Sequence, residues 1–312
     1  MRTINRQQII SEAGRVAVLM GGLSAERDVS LESGRAALAG LLRLGIEASA
    51  IDVSLEIAEQ LIALKPDCAL NMLHGSGGED GVIQGLLEAM AIPYTGSDVC
   101  ASALAMDKVK SKLLWQQLNL STANFLMLHE SSDCHGIIEK FGQVVVKPVN
   151  GGSSIGISIV ADAEALKKAL AKASAYDSKV MAEKYIEGKE FSVGILGGEV
   201  LPIVQLKTNN EFFDFDAKYV AEDTQIICPA ELKEAEEKEL TSLALAAYES
   251  FGCDGLARVD FMQDRRGMFY LLELNTVPGM TGHSFVPIAA KQAGIDFDEL
   301  LLRILQVRRV SQ

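Results

Sequence analysis

Four polar residues near the C-terminal end have types and spacing suited to metal and anion chemistry: Arg258, Asp260, Glu273 and Asn275. They fall in two runs that read as strands, Ala257 to Met262 and Met268 to Asn275, joined by Gln263-Asp264-Arg265-Arg266-Gly267. A two-residue turn at Arg266-Gly267 would set Asp260 opposite Glu273 and Arg258 opposite Asn275. Strand alternation then puts all four on one face. Two opposed carboxylates destabilise a sheet unless something neutralises them. Magnesium does so with hard oxygen ligands, and Asn275 supplies a third. Arg258 would stabilise negative charge developing on a substrate. The plain alternative is a solvated face on which Arg258 pairs the acids, and a one-residue slip in register would undo the arrangement.

Two glycine loops invite nucleotide labels and fail both. Gly75-Ser76-Gly77 carries Asp80 where a dinucleotide loop needs its last glycine, and Gly151 to Gly156 has Ile157 where a P-loop needs lysine. Asn150-Gly151-Gly152-Ser153-Ser154-Ile155-Gly156 still offers close backbone N–H groups and two hydroxyls to a phosphate. A flexible hairpin is the other reading. Lys147 precedes this loop in the apolar run Val144-Val145-Val146-Lys147-Pro148. If it points inward it needs an anion; alternation also allows it to point outward.

Parallel strands must carry the first part of this apparatus. Arg15–Met20, Ile46–Val53 and Cys68–Leu73 are short β-branched or apolar runs, with helices at Leu55–Leu64 and Gly81–Met90. Gly21-Gly22 ends the first strand, and Asp28 or Ser30 is placed to cap the helix that follows. Such a sheet gathers its loops at one edge, where ligands bind. Ala101–Leu118 reads as one helix. Beyond it, Gln143–Pro148, Gly156–Val160, Phe191–Leu196 and Val200–Gln205 read as strands in a largely antiparallel α+β arrangement, with helices near 163–174 and 231–250. Boundaries are expected near residues 104 and 188, with residues 1–14 an extension. The fold class is α/β plus α+β.

The composition limits the partners. With 29 basic and 42 acidic residues the net charge is −13, which would repel a nucleic-acid backbone. Hydrophobic residues make up 48% of the 312, enough for two or three packed cores. No apolar run reaches the length of a membrane span, and the polar start has no signal-peptide character. A cytoplasmic chain with no membrane partner is expected. Cys68, Cys100, Cys134, Cys228 and Cys253 are scattered, as reduced thiols would be. The spacing of His129, Cys134 and His135 fits no closed metal-ligand set.

Taken in order, the motifs resemble those of the D-alanine–D-alanine ligase family within the ATP-grasp superfamily. They are Gly-Gly-x-Ser-Ala-Glu-Arg near the start, His-Gly-x-Gly-Gly-Glu-Asp-Gly at 74–81, Tyr-Thr-Gly-Ser at 94–97 and Met-Asp-Lys at 106–108. Lys-Pro at 147–148, Gly-Ser-Ser-x-Gly at 152–156, Asp-Ala-Lys-Tyr at 216–219, Arg-Val-Asp at 258–260 and Glu-Leu-Asn-Thr-x-Pro-Gly-Met-Thr at 273–281 complete the order. Any one is weak, but the ordered set is specific. It spans residues 15–308.

The resemblance implies a three-domain ATP-grasp architecture: an N-terminal parallel-sheet domain over 1–104, a central domain over 105–188 and a catalytic C-terminal domain over 189–312. It implies ATP-dependent ligation of two D-alanines through an acyl phosphate, for peptidoglycan precursors, by a homodimer using two magnesium ions, with manganese as a substitute. Asp260, Glu273 and Asn275 are the implied metal ligands. Glu26 would hold the first ammonium and Val29 its methyl, with His74 on the substrate side. Lys108, Lys147 and Ser154 would meet ATP phosphates, Glu183, Lys184, Tyr185 and Ile186 adenine, and Glu190 the ribose. Ser153, Glu26 and Tyr219 would close the site, with Lys218 and Tyr219 on a lid. Arg258 and the Gly279 backbone would form the oxyanion site, and Ser284 would bind the terminal carboxylate. Two departures stand out: Val149-Asn150-Gly151 replaces a charged stretch, and Phe285 stands where leucine is usual, with a contact expected through its backbone. A D-alanine–D-lactate ligase, another ATP-grasp carboxylate-amine ligase and a regulatory nucleotide-binding protein are the rival expectations.

Overall fold

A computed structural model describes residues 3–152, 155–207 and 225–308. Ser153, Ser154, Lys218 and Tyr219 lie outside the described residues. The expected extension contains helix α1 (Arg6–Ala13), whose Asn5 side chain caps it by accepting from the Gln8 N–H. Ile9 and Ala13 bury its inner face.

The first unit alternates as its apolar runs require. Strand β1 (Val16–Gly21) is buried at every position, and lies between β2 (Ala48–Val53) and β3 (Cys68–Asn71), parallel to both. A central strand covered on both faces has to be apolar throughout. Helices α2 (Arg27–Arg43), α3 (Ile57–Leu64) and α4 (Val82–Ala89) follow the three strands. The expected cap of α2 fails. Its N-cap is Glu26, with no side-chain cap bond, and the Ser30 hydroxyl donates to the Met72 carbonyl at 2.8 Å.

The single helix expected at 101–118 is two helices, α5 (Val99–Met106) and α6 (Lys108–Gln117). Asp107 between them is extended, and its carboxylate accepts from the Lys110 N–H. An Asp in that conformation ends one helix and caps the next.

The second sheet is antiparallel, in the order β4 (Phe125–Leu128), β7 (Val180–Lys184), β5 (Val144–Pro148), β6 (Ser158–Val160). Helices α7 (Cys134–Phe141) and α8 (Ala163–Ser174) pack on it, and Val144, Val146, Leu166, Val180 and Ala182 form its core.

The third sheet is also antiparallel. It runs β11 (Gln225–Ile227), β10 (Val204–Lys207), β8 (Gly188–Leu196), β12 (Leu256–Asp264), β13 (Phe269–Asn275), with β9 (Glu199–Val200) pairing β8. The strand expected over 200–205 is therefore split between β9 and β10. Helix α9 (Glu234–Ser250) covers one face through Leu240, Ala244 and Ala247 against Phe191, Val259 and Phe261. Helices α10 (Phe285–Gln292) and α11 (Phe297–Gln306) return to the first unit, where Leu301 and Leu305 share a core with Val18, Leu41 and Leu70. Among the described residues no helix is long and apolar enough to cross a membrane.

Candidate active site

The β12–β13 hairpin pairs Arg258 with Asn275, Val259 with Leu274 and Asp260 with Glu273, as the spacing predicts. The route to that register is different. The connection is Arg265-Arg266-Gly267 between Asp264 and Met268, closed by the Asp264 N–H donating to the Met268 carbonyl. Gly267 has φ +89°, which a side chain would resist. Pairing in the outer hairpin is thus offset by one residue. An irregularity beyond Asp260, where Phe261 pairs with Leu271, absorbs the offset at Leu272.

Asp260 is 6% exposed and is held from three sides. Arg258 grips it with both Nε (2.9 Å to Oδ1) and Nη2 (2.7 Å to Oδ2). The Ser192 hydroxyl on β8 donates to Oδ1 at 2.6 Å, and the Asn275 amide donates to Oδ2 at 3.1 Å. Glu273 has a separate cation, Lys108 Nζ at 3.2 Å. The opposed acids are therefore neutralised by one protein cation each; Arg258 pairs Asp260 as the plain alternative has it, but Asp260 is buried and Glu273 takes Lys108 instead. The side chains themselves, two carboxylates from paired strands and an Asn amide whose carbonyl could turn to join them, offer oxygen ligands that fit a hard divalent cation.

Lys147 points inward, and its anion is Glu183 on β7, in direct contact with Oε1. Lys112 Nζ lies 2.8 Å from the other oxygen. Burial alone would raise the Glu183 pKa; Lys112 and Lys147 outweigh it and hold the carboxylate at about 2. Glu183 is thus bound by two lysines and also lines the cavity beside it.

Between the two antiparallel sheets lies a cavity of about 480 Å³. Its walls gather the residues that the motifs single out for a nucleotide: Lys108, Lys147, Glu183, Lys184, Tyr185, Ile186 and Glu190, together with Asp260 and Glu273. Met262 and Leu272 add apolar surface from the hairpin. A partly apolar slot whose lysines and carboxylates stand in pairs suits a nucleotide bound with a cation. Sequence reasoning missed Ser192, Lys112, Met262 and Leu272. Alternation along β8 and β12 could have found Ser192 and Met262; nothing local marks Lys112.

The loops of the parallel sheet approach the hairpin from the other side. The Glu26 carboxylate lies between Gly75 and Gly152, where a Cβ on either glycine would come within 2.7 Å of it. Val29 is half-buried in the first turn of α2. His74 is buried, with Nε2 3.3 Å from the Ser33 hydroxyl. Burial, then the charge of Arg258, pulls its pKa down to about 4, so the ring is neutral. Glu79, in the same glycine loop, accepts from the Gly75 N–H at 2.7 Å. Enclosure, then the charge of Glu26, pushes it up to about 8. Glu79 is another residue the sequence reading left out.

Gly279 backs onto Ser284, whose Oγ accepts from the Thr281 N–H at 3.1 Å. Phe285 does more than was expected of its backbone: its ring centroid stands 5.4 Å from the Arg258 guanidinium, a cation–π contact. The His129, Cys134 and His135 side chains form no metal cluster; among the described residues there is none of three or more His, Cys, Asp or Glu.

Two family models match the chain, "D-ala D-ala ligase N-terminus" over residues 50–97 and "D-ala D-ala ligase C-terminus" over residues 114–306. A D-alanine–D-alanine ligase of Saccharophagus degradans is 52% identical over 94% of this chain and 93% of its own length. One from Stutzerimonas stutzeri is 51% identical over 94% of each. The crystal structure of a Bacillus anthracis D-alanine–D-alanine ligase superposes with a TM-score of 0.84 at 37% identity, covering 95% of this chain and 97% of that one. Its complex with ATP superposes at 0.82. Two family models and relatives about half identical over nearly the whole chain thus agree, and the chain belongs to the D-alanine–D-alanine ligase family.

Proposed function

We propose that the chain uses ATP to join two D-alanines into D-alanyl-D-alanine for peptidoglycan precursors, in the cytoplasm and as a homodimer. The observation that carries this reading is the cavity between the two antiparallel sheets, with Lys108, Lys147 and the Asp260–Glu273 pair in its walls. The division at residues 104 and 188 belongs to the same reading: the nucleotide lies between the second and third units and the amino acids beneath the first.

A free amino acid is a zwitterion, so its site needs an acid for the ammonium and donors for the carboxylate. Glu26 supplies the acid, Val29 lines the methyl side, and Ser284 with its Thr281 neighbour supplies donors for the second carboxylate. The carboxylate of the first D-alanine attacks the γ-phosphorus of ATP, ADP departs, and an acyl phosphate forms. Lys108 and Lys147 hold the phosphates during this step. The neutral amine of the second D-alanine then attacks the acyl carbon, and phosphate leaves with the bonding pair of the C–O bond and carries away the proton that the nitrogen gives up. Arg258 and the Gly279 N–H face the oxyanion of that step. Asp260, Glu273 and Asn275 would hold magnesium, two ions in this reading with manganese as a substitute, and the metal would supply charge neutralisation between phosphate oxygens. Glu183, Lys184, Tyr185, Ile186 and Glu190 would hold the nucleoside. Ser153, Ser154, Lys218 and Tyr219 keep the roles that the family resemblance gives them.

The test is phosphate release and product analysis with MgATP and D-alanine, L-alanine, or D-alanine mixed with D-lactate. D-alanyl-D-alanine as the main product at neutral pH is expected. Mainly depsipeptide from the mixture, or phosphate release that responds to bicarbonate and ignores D-alanine, would overturn the reading.

A further inference from the structure

Behind the cavity wall, on α6, lies a lysine that the proposed reaction does not use. Lys112 is 0% exposed, an unusual place for an ammonium. Its Nζ stands 2.8 Å from Glu183 Oε2 and donates to Thr122 Oγ1 at 2.6 Å. Thr122 in turn donates to the Leu271 carbonyl on β13 at 2.8 Å. Lys112 thereby ties α6, β7 and the acidic hairpin together. Lys147 occupies the other oxygen of the same carboxylate and, with Glu183, faces the cavity.

Two cations share one anion here. We infer that Lys112 is a positioning residue for the nucleotide site: by sharing the Glu183 carboxylate it leaves Lys147 with charge to offer an anionic phosphate. The inference rests on the proposed nucleotide site. Lys147 and Glu183 alone would form a closed, neutral pair, fixed in place but with little field for a phosphate. Burial lowers the Lys112 pKa and the charge of Glu183 opposes that; with Lys112 protonated, the cluster carries one net positive charge while Glu183 still fixes the Lys147 ammonium.

The experiment is MgATP binding by calorimetry, with KM values for ATP and D-alanine, on the wild type, K112M and K112M/E183Q. K112M leaves a neutral pair and is expected to weaken MgATP binding about tenfold, with the D-alanine KM within about twofold. K112M/E183Q restores one net positive charge and is expected to recover affinity relative to K112M. A purely structural role predicts that the double variant is the worse, so affinity at or below that of K112M overturns the inference. Should K112M fail to fold, the double variant is read against the wild type: binding within about fivefold supports the charge argument, and a larger loss overturns it. Failure of the wild type to bind MgATP would instead sink the nucleotide site itself.

Discussion

Ser192 to alanine is the most direct probe of how the hairpin carboxylate is aimed. Ser192 pairs with Asp260 across β8 and β12, and both are almost fully buried. Its hydroxyl donates to Asp260 Oδ1 at 2.6 Å. A hydrogen bond to a charged acceptor contributes about 1.5–3 kcal/mol. At about 1.4 kcal/mol per factor of ten, that corresponds to roughly 10–100-fold in any equilibrium that depends on the carboxylate's placement. Partners of metal-binding carboxylates show losses of the same size, about 10–100-fold. Arg258 and Asn275 keep their grip on Asp260 in the variant, so the expected loss of folding stability lies nearer about 1–2 kcal/mol. The assay is ADP formation at fixed ATP over a magnesium titration, beside urea unfolding. The half-saturating magnesium concentration should rise about tenfold or more. A folded S192A protein with the wild-type magnesium dependence would refute the assignment of Asp260 as a metal ligand held by Ser192.

Other perturbations test separate parts of the site. Glu273→Gln should abolish nearly all magnesium-dependent turnover; unchanged turnover and magnesium dependence would make the metal assignment wrong. His74 has its folded-state pKa lowered to about 4, below the ordinary value of 6.5, so the unfolded chain binds the proton first. Its contribution is present above about pH 6.5 and is lost as the pH falls toward 4, so the Tm gap between wild type and H74Q should shift against the wild type between pH 7 and pH 5; a constant gap rejects this. Cys100 is exposed, whereas Cys68 and Cys253 are buried with thiols pushed up to about 12. Cys134 is also buried. A thiol reagent at neutral pH should therefore modify Cys100 quickly and the buried thiols only on unfolding, checked by mass mapping of the labelled peptides.

The central parallel strand was legible because a strand buried on both faces cannot alternate: Val16 to Met20 has nowhere polar to point. The pairing of Asp260 with Glu273 was legible for a weaker reason. Period-two alternation fixes which residues share a face, but it does not fix the path of the turn. A three-residue connection and an irregularity at Leu272 cancel, and both lie among apolar or turn residues that leave no local mark. The break at Asp107 was hidden because helix formers flank it on both sides. Lys112 was the hardest to see. With Lys108 and Lys110 nearby it reads as a solvated basic stretch, and its burial depends on Glu183 arriving from a distant strand. Phe285 is similar: its stacking on Arg258 follows from how α10 meets β12, not from its neighbours in sequence.

The charge pairing in the hairpin bears on how its variants should be read. Arg258 grips Asp260, and Lys108 pairs Glu273. In the proposed reaction those two cations face an oxyanion and a phosphate, and the two carboxylates face magnesium. The same four groups thus satisfy one another in the folded chain and must exchange partners when metal and nucleotide arrive. That exchange relieves the cost of opposed carboxylates before and after binding, so the hairpin can fold without the metal. It also means that D260N would remove a metal ligand and release Arg258 at once. A loss of activity in D260N alone would then say nothing about which group failed. A double-mutant cycle with R258K separates them. If metal loss is the whole effect, R258K should cost as much in D260N as in the wild type. If holding Arg258 is part of Asp260's role, the two costs should fall short of adding, and a cycle that closes without coupling would reject the exchange.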